Sequence, residues 1–196
     1  MIESIRRQIG AAADHLAAIQ RDEALLATLE AIARDCVAAL QAGNKILFMG
    51  NGGSAADAQH LAGELVSRFE FDRPGLAAFA LTTDSSVLTA IGNDYGYEKL
   101  FARQVQAVGK AGDVLIGITT SGRSPNVIAA LALGRQLGLR TVGFTGARPA
   151  AIDEVVDHCL KLPSTCTPRI QEGHILLGHT LCSLIESALF TPPAAA

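Results

Sequence analysis

Tryptophan is absent from this 196-residue chain and tyrosine and methionine occur only twice each, so its core must be built from aliphatic side chains and seven phenylalanines. The four cysteines, Cys36, Cys159, Cys166 and Cys182, show no C-x-x-C spacing, which argues against a zinc ribbon or a dithiol motif. Their apolar neighbours predict buried free thiols in a reducing compartment. No run of basic residues occurs, and a net charge of -3 excludes a general attraction to nucleic acid or anionic membrane. Any phosphate must be bound locally. No apolar segment approaches the length of a membrane span, and Met1 to Arg7 mix charge with helix formers where a secretory leader would be apolar. The cytoplasm is the expected compartment. Walker and G-x-G-x-x-G patterns are both missing, so nucleotide binding has no basis in the sequence.

What is present divides at Gly43. Residues 1–42 are rich in alanine, leucine and alternating charge and contain no proline, which predicts a helical hairpin broken near Gln20 to Glu23. So much apolar surface outside the α/β units needs a partner, and packing against another subunit is the expectation. Residues 43–190 then alternate five short apolar runs, at Lys45–Met49, Gly75–Leu81, Asp113–Ile118, Arg140–Phe144 and His158–Leu162, with helical stretches. Those stretches are Ser54–Arg68, Ser85–Gly92, Tyr97–Gly109, Pro125–Leu137, Ala150–Val156 and Arg169–Phe190. The pattern predicts an α/β fold with a five-stranded parallel sheet flanked by helices on both faces. No linker interrupts it, so one domain is expected over 1–196, with a frayed tail at 191–196.

Two strand-to-helix junctions carry chemistry. In the first, Ile46 to Met49 run into Gly50-Asn51-Gly52-Gly53-Ser54, where the glycines permit a tight turn and Ser54 stands at the expected helix cap. Free amides and the helix dipole there suit an anion or a sugar hydroxyl. His60 and Glu64 follow on one face of that helix, a spacing compatible with a divalent ion, a proton-transfer pair or a plain surface hydrogen bond. In the second junction Thr119, Thr120, Ser121 and Ser124 surround Gly122, with Ser124 at the cap and Pro125 in the first helical position. Four hydroxyls at a helix N-terminus suit a phosphate monoester without any lysine. In the last helix Gln171 and His179 are separated by about 12 Å of rise and roughly 80° of rotation, so only long side chains could bring them to one ion. His174 points elsewhere and is read as structural. Gly92 to Gly96 read as a helix end and turn, in which Asn93 and Asp94 could also meet sugar hydroxyls.

Gly50-Asn51-Gly52-Gly53-Ser54-Ala55-Ala56-Asp57-Ala58-Gln59-His60, Thr120-Ser121-Gly122-Arg123-Ser124 and Arg169-Ile170-Gln171-Glu172-Gly173-His174 closely resemble the phosphoheptose isomerases of the sugar isomerase (SIS) superfamily. The resemblance spans nearly the whole chain and is weakest in the first 40 residues and the tail. It implies the SIS fold and an aldose–ketose isomerase that converts D-sedoheptulose 7-phosphate to D-glycero-D-manno-heptose 7-phosphate. It further implies a homotetramer with one zinc ion per subunit. By the same resemblance Asn51, Gly52, Gly53, Asn93, Asp94, Glu64 and Gln171 contact the sugar, and Ser54, Thr119, Thr120, Ser121 and Ser124 hold the phosphate. His60, Glu64, Gln171 and His179 surround the metal. Thr119 stands where serine is frequent in the family, which keeps the hydroxyl.

Isomerisation through an enediol needs a base, a group that shuttles hydroxyl protons and stabilisation of the developing charge; Glu64 is assigned as base and His179 as acid. The competing expectation is a non-catalytic SIS adaptor that binds a replication initiator. Such an adaptor needs no base and no metal shell, so the presence of His60, Glu64, Gln171 and His179 favours the enzyme. A hexose-phosphate isomerase or a sugar-sensing regulatory domain is the remaining alternative.

Overall fold

The computed structural model describes residues 1–191. Asp22 splits the N-terminal hairpin: its carboxylate accepts the amide of Leu25 at 3.0 Å, capping α2 (Glu23–Gln41) directly after α1 (Ile2–Arg21). Helix α2 seats Leu25, Leu29, Ile32, Ala33, Cys36 and Ala39 in the core, so it covers its own sheet. The expectation of packing between subunits therefore narrows to α1, where only His15 and Ile19 are buried and Ile2, Ile5 and Ile9 face outward.

Strands β1 (Ile46–Gly50), β2 (Ala78–Ala80), β3 (Val114–Ile118), β4 (Arg140–Thr145) and β5 (His158–Lys161) form one parallel sheet in the order β2-β1-β3-β4-β5. Alternation along each strand feeds two cores. Ile46 and Phe48 join Val114, Ile116 and Ile118 beneath α2, α3 (Gly53–Val66) and α7 (Thr167–Leu189). Leu47, Met49 and Leu115 pack on the other face against Phe101 and Val105 of α5 (Leu100–Val108) and Val127 and Leu131 of α6 (Pro125–Gln136). The strand order reverses between β1 and β3, so the loops that leave their carboxyl ends diverge and open a crevice.

Several boundaries differ from the expected ones for local reasons. Strand β2 spans three residues and not Gly75–Leu81, because it lies at the sheet edge and pairs with β1 alone. Helix α4 (Ser85–Tyr95) runs straight through Asn93 and Asp94, which are therefore not in a turn. The residue that stops it is Gly96, at φ +83°, whereas Gly92 is an ordinary helical residue. The helix expected from Tyr97 opens as a short 3₁₀ turn, Tyr97–Lys99, before α5, and Ala151–Glu154 is likewise 3₁₀. Cys36 and Cys182 are buried and Cys159 is half-buried, but Cys166 is exposed, since it occupies the cap position ahead of α7. Residues 192–196 of the expected frayed tail lie outside the described residues. Among the described residues no helix is long and apolar enough to cross a membrane.

His174 is structural, as expected: it lies buried in α7 beside Phe144, and burial lowers its pKa to about 4 from the ordinary 6.5. Between those values the unfolded chain binds a proton that the native chain does not, so stability must fall as pH drops from 6.5 towards 4. A shift of this size corresponds to about 3 kcal/mol. Urea denaturation of the wild type and of His174→Gln at pH 7 and pH 4.5 should show the variant losing about 2–3 kcal/mol less across that interval. Equal losses would show that His174 is not the group responsible.

Candidate active site

The first crevice wall is the β1–α3 junction. Gly50 has no room for a side chain, because an added Cβ would lie 2.6 Å from the carbonyl oxygen of Ser54. The helix therefore starts within a few residues of the strand's end, with Gly52 at φ +58° as the cap residue. Ser54 is thus inside the first turn, not at the cap, and is buried. An added Cβ at Gly53 would lie 2.4 Å from Nε2 of Gln171, so the Gln171 carboxamide rests directly on this turn.

The second wall is the β3–α6 junction. Ser124 occupies the cap position of α6 but does not cap it. Its hydroxyl turns instead to Thr119, Oγ–Oγ1 2.9 Å, and Ser121 Oγ lies 3.5 Å from the same Thr119 oxygen. Thr120 and Ser121, with Arg123, Arg148, Ser164 and Thr167, line an adjacent polar cavity of about 140 Å³. Helices α3, α6 and α7 start at these loops without a side-chain cap. Uncapped amides and unspent hydroxyls are what a phosphate requires. The larger cavity, about 790 Å³ and lined by Leu47, Phe79, Ile91 and Val108, contains none of these groups.

The two junctions are tied together by Asn51, expected at the sugar, with Asn126 and Tyr97, which sequence reasoning missed. Asn51 donates Nδ2–H to Oδ1 of Asn126 and accepts Nδ2–H of Asn126 at its own Oδ1, both at 2.9 Å. The Tyr97 hydroxyl donates to the same Asn51 oxygen at 2.9 Å. Asn126 is 75 residues from Asn51 and nothing in its local pattern marks it. Asn93 and Asp94, one turn before Tyr97, are exposed and hydrogen-bonded to each other at 2.8 Å. Among the described residues neither hydrogen-bonds to the two junctions.

Helix α3 carries the ionisable groups from the turn towards α7. The helices meet where Gly178 faces Leu61: an added Cβ on Gly178 would lie 2.7 Å from Leu61 Cδ2. Close approach brings the next residue of α7, His179, to the residue before Leu61, with Nε2–Nε2 2.7 Å between His60 and His179. Glu64 Oε1 lies 3.4 Å from His60 Nε2, and one ligand atom from each of the three residues falls within 4.8 Å of the others. Phe69 packs on the His179 ring with centroids 5.7 Å apart. Of the two residues expected to reach one ion only through long side chains, His179 meets the later turns of α3 at His60, whereas Gln171 rests on Gly53 at its start. Asp57, one turn before His60, was also missed. Burial pushes its carboxyl pKa up, against the opposing pull of His60 and His179, and its Oδ2 has no hydrogen-bond partner among the described residues.

Two imidazole nitrogens and a carboxylate oxygen converging on one point form a donor set suited to zinc. The same carboxylate and imidazoles are groups that can also carry protons, and α3 and α7 link them to the two strand-to-helix junctions. The SIS domain family matches residues 9–146, and the chain is a SIS-domain protein. The phosphoheptose isomerase of Burkholderia pseudomallei strain 1710b is 58% identical over 186 residues, covering 95% of this chain and 94% of its own. The solved phosphoheptose isomerase of Neisseria gonorrhoeae is 41% identical with a TM-score of 0.88, covering 94% of this chain and 98% of its own. That of Francisella tularensis is 34% identical with a TM-score of 0.91, covering 95% and 98%. The chain belongs to the phosphoheptose isomerase family.

The Asn51–Asn126 pair accounts for how two loops from different strands keep one geometry. Asn126→Ala leaves the Asn51 carboxamide short of two partners and should destabilise the protein by about 1–3 kcal/mol in urea denaturation. A loss below about 0.5 kcal/mol would mean the pair does not hold the junctions together.

Proposed function

We propose that this protein interconverts D-sedoheptulose 7-phosphate and D-glycero-D-manno-heptose 7-phosphate through an enediol, the first step towards activated bacterial heptoses. The observation that carries the reading is the His60–Glu64–His179 constellation, two members of which sit on the helix that begins in the glycine turn and the third on α7. The phosphate is held by Thr119, Thr120, Ser121, Ser124 and Ser54 with the uncapped helix starts. Asn51, Gly52, Gly53, Asn93, Asp94, Glu64 and Gln171 address the sugar.

Glu64 removes a proton from C1 of the ketose, the C1–H electron pair becomes the C1–C2 double bond, and the carbonyl oxygen at O2 takes up a proton. Return of a proton to C2 and loss of the O1 proton give the aldose. His179 moves the hydroxyl protons between O1 and O2. Zinc, held by His60, Glu64 and His179, would polarise the substrate oxygens, and Gln171, which rests on Gly53, would join as an oxygen donor only by swinging its long side chain from that turn. Of Glu64, Oε1 faces His60, which leaves its second oxygen for the proton at carbon. An adaptor function is disfavoured because a binding surface has no use for this convergence of imidazoles and carboxylate.

Sedoheptulose 7-phosphate turned over in deuterated water should yield heptose 7-phosphate carrying deuterium at C2 by NMR, with the rate falling on chelation. No turnover under any metal condition would overturn the isomerase reading in favour of the adaptor. Glu64→Gln should lower kcat well beyond tenfold; a loss under about 1.4 kcal/mol in activation free energy would remove Glu64 as the base.

We also place the enzyme in the cytoplasm as a homotetramer. Ile2, Ile5, Ile9 and Leu16 form an apolar stripe on α1 that its own chain leaves exposed, and burial of such side chains is worth about 1.5–3 kcal/mol each. Light scattering at micromolar concentration should give four times the chain mass, and a strict monomer would reject the assembly.

A further inference from the structure

The carboxyl end of α3 is held by an ion pair that plays no part in the chemistry above. Arg73 and Glu186 have side chains 1% and 0% exposed, and Arg73 Nε donates to Glu186 Oε1 at 2.9 Å. Every remaining group of the pair is spent on backbone. Arg73 Nη2 donates to the carbonyl oxygen of Glu64 at 2.9 Å. Its Nη1 donates to the carbonyl oxygens of Leu65 at 2.7 Å, Ser67 at 3.0 Å and Pro74 at 3.2 Å. The carboxylate of Glu186, on α7, accepts the amides of Phe69 at 2.9 Å and Glu70 at 2.7 Å.

The carbonyls of Glu64, Leu65 and Ser67 lie at the carboxyl end of α3, where helix carbonyls lack intrahelical partners, and a cation there also suits the dipole. Structural capping alone, however, would not need Glu186. A surface lysine would do. The second half of the device reaches the site from the other side: fixing the amides of Phe69 and Glu70 sets the position of the Phe69 ring, which rests against His179. Ser183, one turn after His179 on α7, donates to Glu70 Oε1 at 2.9 Å and completes the connection.

We infer that Arg73 and Glu186 are positioning residues that set Glu64 and His179 against each other, Arg73 through the backbone of Glu64 and Glu186 through the Phe69 ring. The inference rests on the roles of Glu64 and His179 proposed above. The contacts of Asn51, Gly52, Gly53, Ser54 and Gln171 lie at the opposite end of α3, at about 1.5 Å per residue well over 10 Å away, and next to the clamp only Glu64 touches the sugar, at the reacting carbon. Disturbing the clamp should therefore damage turnover and spare substrate affinity.

Arginine is required by geometry, since five donors in a planar fork serve five acceptors, while lysine keeps the charge opposite Glu186 but cannot span them. Arg73→Lys should lower kcat by about 10- to 100-fold, the cost of a displacement of roughly 1 Å, with KM within about twofold of wild type. The His179 ring protons, which feel the Phe69 ring current, should shift in the same variant by NMR. Glu186→Gln puts a donor against donor amides and should give the same pattern. Phe69→Leu leaves the ion pair untouched, so it reports even if the pair variants fail to fold; it should reproduce the His179 shift and lower kcat by several-fold. Wild-type kcat in the folded variants, or equal changes in kcat and KM, would overturn the inference. A wild type inert towards sedoheptulose 7-phosphate would instead overturn the functional reading, and an unmoved His179 resonance in Phe69→Leu and Arg73→Lys would then reject the positioning roles on their own.

Discussion

Helix α7 can lie against α3 only because Gly178 offers no side chain to Leu61. Methylene-scale changes at such a contact are felt because packed interiors hold little free volume. One residue further on, His179 reaches His60, and about two turns back the same helix lays Gln171 on Gly53. Two contacts of one helix with another thus fix both ends of the crevice. The glycine turn, His60 and Glu64 share α3, so any shift of α7 moves the acid relative to the base but leaves the turn and base in register.

The two ends of the sheet treat polar groups in opposite ways. At the amino ends of the strands charges are consumed internally: Asp113 accepts from Lys45 Nζ at 2.6 Å and from the amides of Lys45 and Lys110. Asp157 accepts the amide of Thr141 at 2.8 Å, and Arg140 meets Asp35 at 3.0 Å. At the carboxyl ends the hydroxyls of Thr119, Ser121 and Ser124 have chiefly one another, and the helix starts lack side-chain caps. Donors left unspent on one side and satisfied on the other give the molecule one face for ligand.

The strands were legible because residues such as Ile46–Met49 and Val114–Ile118 are buried on both faces, which writes an unbroken apolar run into the sequence. Both junctions were legible for a local reason, glycine and hydroxyl crowding. Asn93 and Asp94 misled because Gly92 and Asn93 look like a helix end, whereas the termination depends on Gly96 and its left-handed backbone. Arg73, Glu186, Asn126 and Tyr97 were not legible at all. Their side chains meet partners 46 to 117 residues away along the chain, and no spacing rule encodes a contact made by the fold.

The brevity of β2 bears on solubility. An open sheet edge is a template on which a second chain can add its own strand, and long, flat, apolar edges are the usual start of fibrous aggregates. Ala78–Ala80 exposes only three residues of such an edge, although Phe79 at its centre is apolar and outward-facing. The loop of Arg73 and Pro74 precedes it and the helical segment from Ser85 follows, so the edge cannot lengthen without unravelling a neighbour. A truncated border strand thus protects a hydrophobic parallel sheet from recruiting copies of itself during synthesis.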